Sequence, residues 1–209
     1  MSEDKPARSA VADWVPPSSA VRKHLNIPNQ LTLARLGLAV FLFVFISLER
    51  WIGCILIFAA AALTDWLDGY LARKQQLTST LGRNLDPLVD KVLIGGAYIF
   101  LLPVEGSGLA PWMVTVVIAR ELIITSLRSF LENRGASFGA DWLGKLKMGL
   151  QCAALFGIFA ALEAAVGGRG SAAALGLVAR VLIYGMVVVT ALSGLQYLWR
   201  ASLLLPRSG

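Results

Sequence analysis

At 209 residues, with 56% hydrophobic and 15% charged side chains and a mean hydropathy of +0.67, the chain has the composition of an integral membrane protein rather than a soluble domain. A net charge of +6 could suggest nucleic acid, but the basic residues are spread along the edges of apolar segments, with no soluble domain to carry a groove. Anionic lipid and phosphate are the better partners, and no nucleic acid is expected. The single histidine lies outside the apolar segments, and Cys54 and Cys152 have no metal-ligand or redox spacing, which argues against Ser-His-Asp or Cys-His chemistry.

The first 25 residues hold no continuous apolar run and read as a cytosolic tail, with Pro16-Pro17-Ser18-Ser19 as a loop and no cleavable signal peptide apparent. Six apolar stretches follow, at 28–48, 51–72, 87–104, 110–130, 144–166 and 172–199. Each is near the ~20 residues that span a bilayer. The expectation is an all-α, polytopic integral membrane protein with six transmembrane helices, its membrane domain covering 26–200 between the tail 1–25 and a cytosolic C-terminal tail 201–209. Arg22 and Lys23 precede the first stretch, Arg73, Lys74 and Arg83 separate the second and third, and Arg134, Lys145 and Lys147 separate the fourth and fifth. The opposite loops offer only Arg50 and Arg169. The positive-inside rule then puts both termini on the cytoplasmic side.

The first stretch carries Arg35 about two turns inside the membrane boundary. An arginine at that depth needs a carboxylate or phosphate partner, or must snorkel to the interface, and Asn29 and Thr32 could assist on the neighbouring face.

Residues 65–90, DWLDGYLARKQQLTSTLGRNLDPLVD, place Asp65, Asp68, Asp86 and Asp90 beside apolar runs. On helices, spacings of three and four residues project each pair from one face, so two acidic faces can meet. Clustered carboxylates repel one another, and a divalent cation is the natural compensation. An all-oxygen donor set suits Mg²⁺ or Mn²⁺, and four carboxylates could hold two ions that clamp a phosphoryl group. Gly69 and Ala72 leave the acidic face uncrowded, Arg73 adds a planar fork suited to phosphate, and Gly82 opens the facing helix one turn before Asp86. By the charge bias, this site faces the cytoplasm.

The fourth stretch carries Arg120, Glu121 and Arg128, and the fifth opens with Lys145 and Lys147. Arg120 and Arg128 are eight residues apart and share a face, so with the two lysines they can form a second anion pocket; alternatively, Arg120 and Glu121 only satisfy neighbouring helices. Glu163 and Arg180 could pair across the last hairpin. Recurrent glycines there permit close helix packing and homodimer formation.

The spacing D-x2-D-G-x2-A-R-x8-G-x3-D-x3-D, met at Asp65, Asp68, Gly69, Ala72, Arg73, Gly82, Asp86 and Asp90, resembles the signature of the CDP-alcohol phosphatidyltransferase family. Within it, LNIPNQLTLAR, TDWLDG, LDPLVDK, IARELIITSLR and WLGKLK are similar to the bacterial members that make phosphatidylglycerophosphate, although Met148 stands where a threonine is common. The resemblance implies an enzyme of the bacterial cytoplasmic membrane, with CDP-diacylglycerol as donor, sn-glycerol 3-phosphate as acceptor, and phosphatidylglycerophosphate and CMP as products. It further implies that Asp65, Asp68, Asp86 and Asp90 hold the metals, with Asp90 as further ligand or as general base. Gly69, Ala72, Arg73, Gly82 and Ser79 would accommodate CDP, and Arg120, Arg128, Lys145 and Lys147 the acceptor phosphate. Two other readings are a sibling transferase using inositol phosphate, phosphatidylglycerol or serine, and a divalent-cation carrier. Against a carrier, both acidic pairs lie at one membrane side and leave no polar route across.

Overall fold

The structure is a computed structural model that describes residues 27–75, 80–132 and 142–204, with side chains described for 33–64, 88–131 and 142–202. Six helices account for nearly all of it: α1 Ile27–Ser47, α2 Trp51–Gln75, α3 Thr80–Leu101, α4 Pro111–Glu132, α5 Trp142–Val166 and α6 Ala172–Leu204. No strand occurs among the described residues. The all-helical expectation holds, and two boundaries move by five residues or more. α3 begins at Thr80, ahead of the apolar stretch that starts at 87 and in keeping with Gly82 on the facing helix, and α6 runs to Leu204. A hydropathy reading misses the start of α3 because Thr80, Arg83, Asn84 and Asp86 make its first turns polar while leaving them helical.

Each turn is closed by local hydrogen bonding. Between α1 and α2, Glu49 adopts a left-handed φ of 53° while the Arg50 amide donates to the Phe45 carbonyl at 3.0 Å. After α5, Gly168 takes the left-handed position (φ 59°), and the amides of Gly167 and Arg169 return to the carbonyls of Glu163 and Ala164. α4 opens with Pro111, whose missing N–H has no helical partner to lose there.

α1 packs on α2 and α3, α2 on α5, α4 on α6, and α5 most extensively on α6. Small residues set the closest approaches. A Cβ at Gly157 of α5 would lie 3.4 Å from the Ala179 Cα of α6, so the expected small-residue packing is met within the chain. At Gly96 of α3 a Cβ would lie 2.3 Å from the Phe43 ring, which occupies that space and stacks on Phe100 with centroids 4.8 Å apart. Phe58 of α2 meets Phe156 and Phe159 of α5, joining the two halves of the core. Ala179 faces α5, so Arg180, a residue further round α6, is exposed and forms no ion pair with Glu163, contrary to expectation.

The exterior is apolar, with Phe41, Leu56, Leu122, Val181 and Leu195 among the exposed side chains. Trp142 at the start of α5 and Trp199 near the end of α6 lie at the same end of this antiparallel hairpin, both 71% exposed, as in the aromatic belt of a membrane interface. α5 and α6 are each long and apolar enough to cross a membrane. Leu33–Ser47 and Trp51–Thr64 are shorter apolar runs. In α3 and α4 the run is interrupted by Asp90, Lys91, Arg120, Glu121 and Arg128, the residues on which the site is built.

Candidate functional site

One continuous helix, α2, carries Asp65, Asp68, Gly69, Ala72 and Arg73, and a second, α3, carries Gly82, Asp86 and Asp90. Both pack on α1. The side chains of residues 65–87 lie outside the described residues, as do those of Asn29 and Thr32 and the whole of Ser79. Among the described residues no three acidic, His or Cys side chains converge as a metal site. Asp90 is described, and it accepts a 2.7 Å hydrogen bond from Nη1 of Arg35. Arg35 is 1% exposed, so of its alternatives the carboxylate is the one realised, and snorkelling is not. A buried guanidinium is tolerated only when paired and hydrogen-bonded; removing one partner of such a pair is destabilising by about 3–5 kcal/mol.

The second cluster joins α4, α5 and α6. Arg120 Nη2 donates to Ser193 Oγ at 2.7 Å and Nη1 to Glu121 Oε1 at 3.3 Å. Arg128 Nη2 donates to the Tyr197 hydroxyl at 2.7 Å. Both guanidinium groups lie 5.6 Å from the Tyr197 ring centre, so Arg120 and Arg128 share a face as their spacing predicts, and one aromatic ring of α6 serves both. Gly194 makes this approach possible, since a Cβ there would lie 3.1 Å from Arg120 Cγ. Lys147 Nζ pairs with Glu121 Oε1. Lys145 and Lys147, two residues apart, project to opposite sides of α5: Lys147 is buried and Lys145 exposed.

Lys91 belongs to the same region. Its ammonium donates to Thr125 Oγ1, and that hydroxyl donates to the Glu121 carbonyl at 2.6 Å. Sequence reasoning passed over Lys91, Ser193 and Tyr197. The spacing of Ser193 and Tyr197, one turn apart on α6, would place them on one face, but nothing in it says that this face meets α4.

Members of both clusters line one cavity of about 500 Å³ between α1, α3, α4 and α5, while Arg120 and Arg128 stand behind Glu121 and do not line it. Asp90 and Lys91 from α3, Glu121 from α4 and Lys147 from α5 line one end. Because α4 runs antiparallel to α3 and α5, these four fall at one level of the bundle, and beyond them the walls are apolar apart from Gln151. The arrangement can hold an anion at the charged end, close to a carboxylate fixed by a buried arginine.

The family model described as CDP-alcohol phosphatidyltransferase matches residues 25–199. Similar proteins from three bacteria bear the name CDP-diacylglycerol--glycerol-3-phosphate 3-phosphatidyltransferase. That of Pectobacterium atrosepticum is 37% identical over 182 residues, covering 83% of this chain and 93% of the relative. The Sodalis glossinidius protein is 36% identical over 186 residues, 85% of this chain and 95% of its own. The Bacillus subtilis protein is 38% identical over 146 residues, 62% of this chain and 74% of the relative. With its eight signature residues on two helices and the model spanning nearly all of its length, the chain belongs to the CDP-alcohol phosphatidyltransferase family.

Proposed function

We propose that the protein transfers the phosphatidyl group of CDP-diacylglycerol to sn-glycerol 3-phosphate, giving phosphatidylglycerophosphate and CMP. The relatives' names support both substrates. The observation that carries the reading for this chain is the cavity whose charged end is lined by Asp90 of the signature and by Lys147 and Glu121 of the cationic cluster. A donor held at the acidic helices and an anionic acceptor held at the cations would meet there.

The donor set fits a hard cation, because Asp65, Asp68, Asp86 and Asp90 offer oxygen alone, with no thiol or imidazole in the stretch. These four residues would hold two Mg²⁺ or Mn²⁺ ions, which when bound neutralise charge on the pyrophosphate and make CMP a better leaving group. Gly69, Ala72 and Gly82 leave room for the CDP portion, with Arg73 and Ser79 as donors to it. Asp90, oriented by Arg35, takes the proton of the acceptor hydroxyl as its oxygen attacks the phosphorus bearing the diacylglycerol. The new O–P bond forms as the bond to CMP breaks, and no covalent enzyme intermediate is needed. Arg120, Arg128 and Lys147 hold the acceptor phosphate; a guanidinium has five N–H donors, so the bonds to Ser193, Glu121 and Tyr197 leave capacity for it. Lys145, on the exposed face of α5, adds to the field that draws the anion in.

All six helices cross the bacterial cytoplasmic membrane in this reading, with the acidic faces toward the cytoplasm, where a soluble phosphorylated substrate is at hand. The charge bias of the loops and the apolar exterior support it.

Purified protein given CDP-diacylglycerol and Mg²⁺ or Mn²⁺ should release CMP with glycerol 3-phosphate, and much less with inositol phosphate, serine or phosphatidylglycerol; preference for one of these would replace the acceptor. Asp68→Asn should abolish that release, and Asp90→Asn should lower it by about 10²- to 10⁴-fold, the scale of a positioned acid–base group. Activity near the parent level in either would remove the corresponding role. Chelation should stop turnover reversibly.

Arg120→Ala and Arg128→Ala should raise KM for glycerol 3-phosphate by about tenfold for each 1.4 kcal/mol of binding lost, and leave that for CDP-diacylglycerol nearly flat. Tyr197→Phe, which removes the hydroxyl bonded to Arg128 and keeps the ring, should act the same way and more weakly. Equal effects on both substrates would make these residues supports of the fold alone.

Orientation can be checked by labelling. A cysteine at Ser79 should react with an impermeant reagent applied to the cytoplasmic side, and one at exposed Glu105 with the reagent outside. Ser107 is unsuited because it is 5% exposed and its Oγ accepts the Leu109 amide. Reversed labelling would overturn the proposed access route.

A further inference from the structure

Two lysines line the charged end of the cavity, and the proposed chemistry uses only one of them. Lys147 is already matched, since Glu121 accepts from its ammonium. Asp90, the other carboxylate lining this end, faces Arg35. Lys91 is left over. Its ammonium donates to the Thr125 hydroxyl, a neutral group, and among the described residues no carboxylate pairs with it.

Helix geometry lets two neighbours serve different partners. Asp90 and Lys91 are consecutive on α3 and leave it about 100° apart, Asp90 toward Arg35 of α1 and Lys91 toward Thr125 of α4. The Thr125 hydroxyl donates to the Glu121 carbonyl, so its oxygen presents lone pairs to the lysine. Thr125 also lies one turn from both Glu121 and Arg128 on α4, which holds the ammonium on the side of the cationic cluster. There it is half-buried, and two of its three N–H donors have no partner among the described residues. A charge inside an apolar bundle is costly unless it is paired or faces a space that admits a partner. Water would solvate this ammonium without cancelling its charge. The group that completes the site is an anion with several acceptor oxygens.

We propose that Lys91 is a specificity-determining residue for the acceptor: its ammonium pairs with the acceptor's phosphate and, beside Lys147, favours a phosphorylated acceptor over a neutral one. The inference rests on the reading that the acceptor is glycerol 3-phosphate. A phosphate monoester carries about −1.5 to −2 charges at pH 7 and three acceptor oxygens, which suits an ammonium that has spare donors and no counter-charge. Lys91 and Lys147 both line the cavity, so one phosphate group can meet both. The pyrophosphate of the donor is anionic as well, but in this reading the metal-bearing faces of α2 and α3 hold it. Lys91 is turned away from Asp90 toward α4.

The test follows CMP release by purified wild type, Lys91→Met, Lys91→Arg and Thr125→Val, varying each substrate in turn and adding inorganic phosphate as a competitor of the acceptor. Lys91→Met should raise KM for glycerol 3-phosphate by roughly ten- to a hundredfold, the effect of one charge-assisted hydrogen bond, and weaken inhibition by phosphate by a similar factor. Its KM for CDP-diacylglycerol should stay nearly flat. Lys91→Arg keeps the charge and should restore most of the affinity. Thr125→Val keeps the ammonium but removes the hydroxyl that positions it, and should raise the acceptor KM more weakly. Because no carboxylate is stranded, substrate-free Lys91→Met should have a Tm equal to or above wild type. An unchanged acceptor KM in Lys91→Met, or a rise in the donor KM in its place, would overturn the inference alone. So would a lowered Tm with both KM values raised and no rescue by Lys91→Arg, which would make Lys91 a support of the fold. Wild type preferring an unphosphorylated acceptor would overturn the acceptor reading, and this inference with it.

Discussion

A guanidinium 1% exposed inside an apolar bundle has few stable environments, and Arg35 has found one in Asp90. Their bond ties α1 to α3 at 2.7 Å and so sets which residues of α3 face inward. With Asp90 facing Arg35, Gly95 and Gly96 turn toward the cavity and toward Phe43, and Tyr98 reaches α5. The dependence runs both ways. Without the carboxylate the arginine would lose a charge partner that offsets its burial, and without the arginine the carboxylate would lose a contact that orients it.

The same rule governs the other inward charges. Lys147 is paired with Glu121, and Arg120 and Arg128 are bonded to Ser193 and Tyr197. Each contact joins two or more helices, so the polar groups at this end of the bundle do the work that interdigitated side chains do in the core. The consequence for function is a cavity with two environments. Its charged end can order phosphate and proton transfer, and its apolar end suits hydrocarbon. A reaction between a water-soluble anion and a lipid needs both in one space.

Much of the site was legible because helix periodicity turns a linear spacing into a face. Asp65 with Asp68, Asp86 with Asp90, and Arg120 with Arg128 could all be paired from their numbers, and where their side chains are described the pairing on a face holds. What periodicity cannot supply is the identity of the facing helix. The choice of Asp90 as the partner of Arg35, the placing of Tyr197 between two arginines, and the exposure of Arg180 away from Glu163 are all tertiary facts. Lys145 and Lys147 looked equivalent by charge, although their spacing of two already separated them on a helix. The polar start of α3 was blurred for a different reason: hydropathy reports burial in lipid, while the helix itself tolerates Arg83 and Asn84 in its first turns. Gln151 gave no signal at all, since an unsatisfied amide becomes visible only when its neighbours are known.

The measurement that bears most directly on this account is a double-mutant cycle on Arg35 and Asp90, read as kcat/KM for CMP release by the folded fraction of each variant. If Arg35 acts by holding Asp90 in place, Arg35→Met and Asp90→Asn should each be severely impaired, and the double variant should be no worse than Asp90→Asn alone. Losses that multiply, with the double variant falling by the product of the two single effects, would show the residues acting independently and contradict the coupling of fold to site.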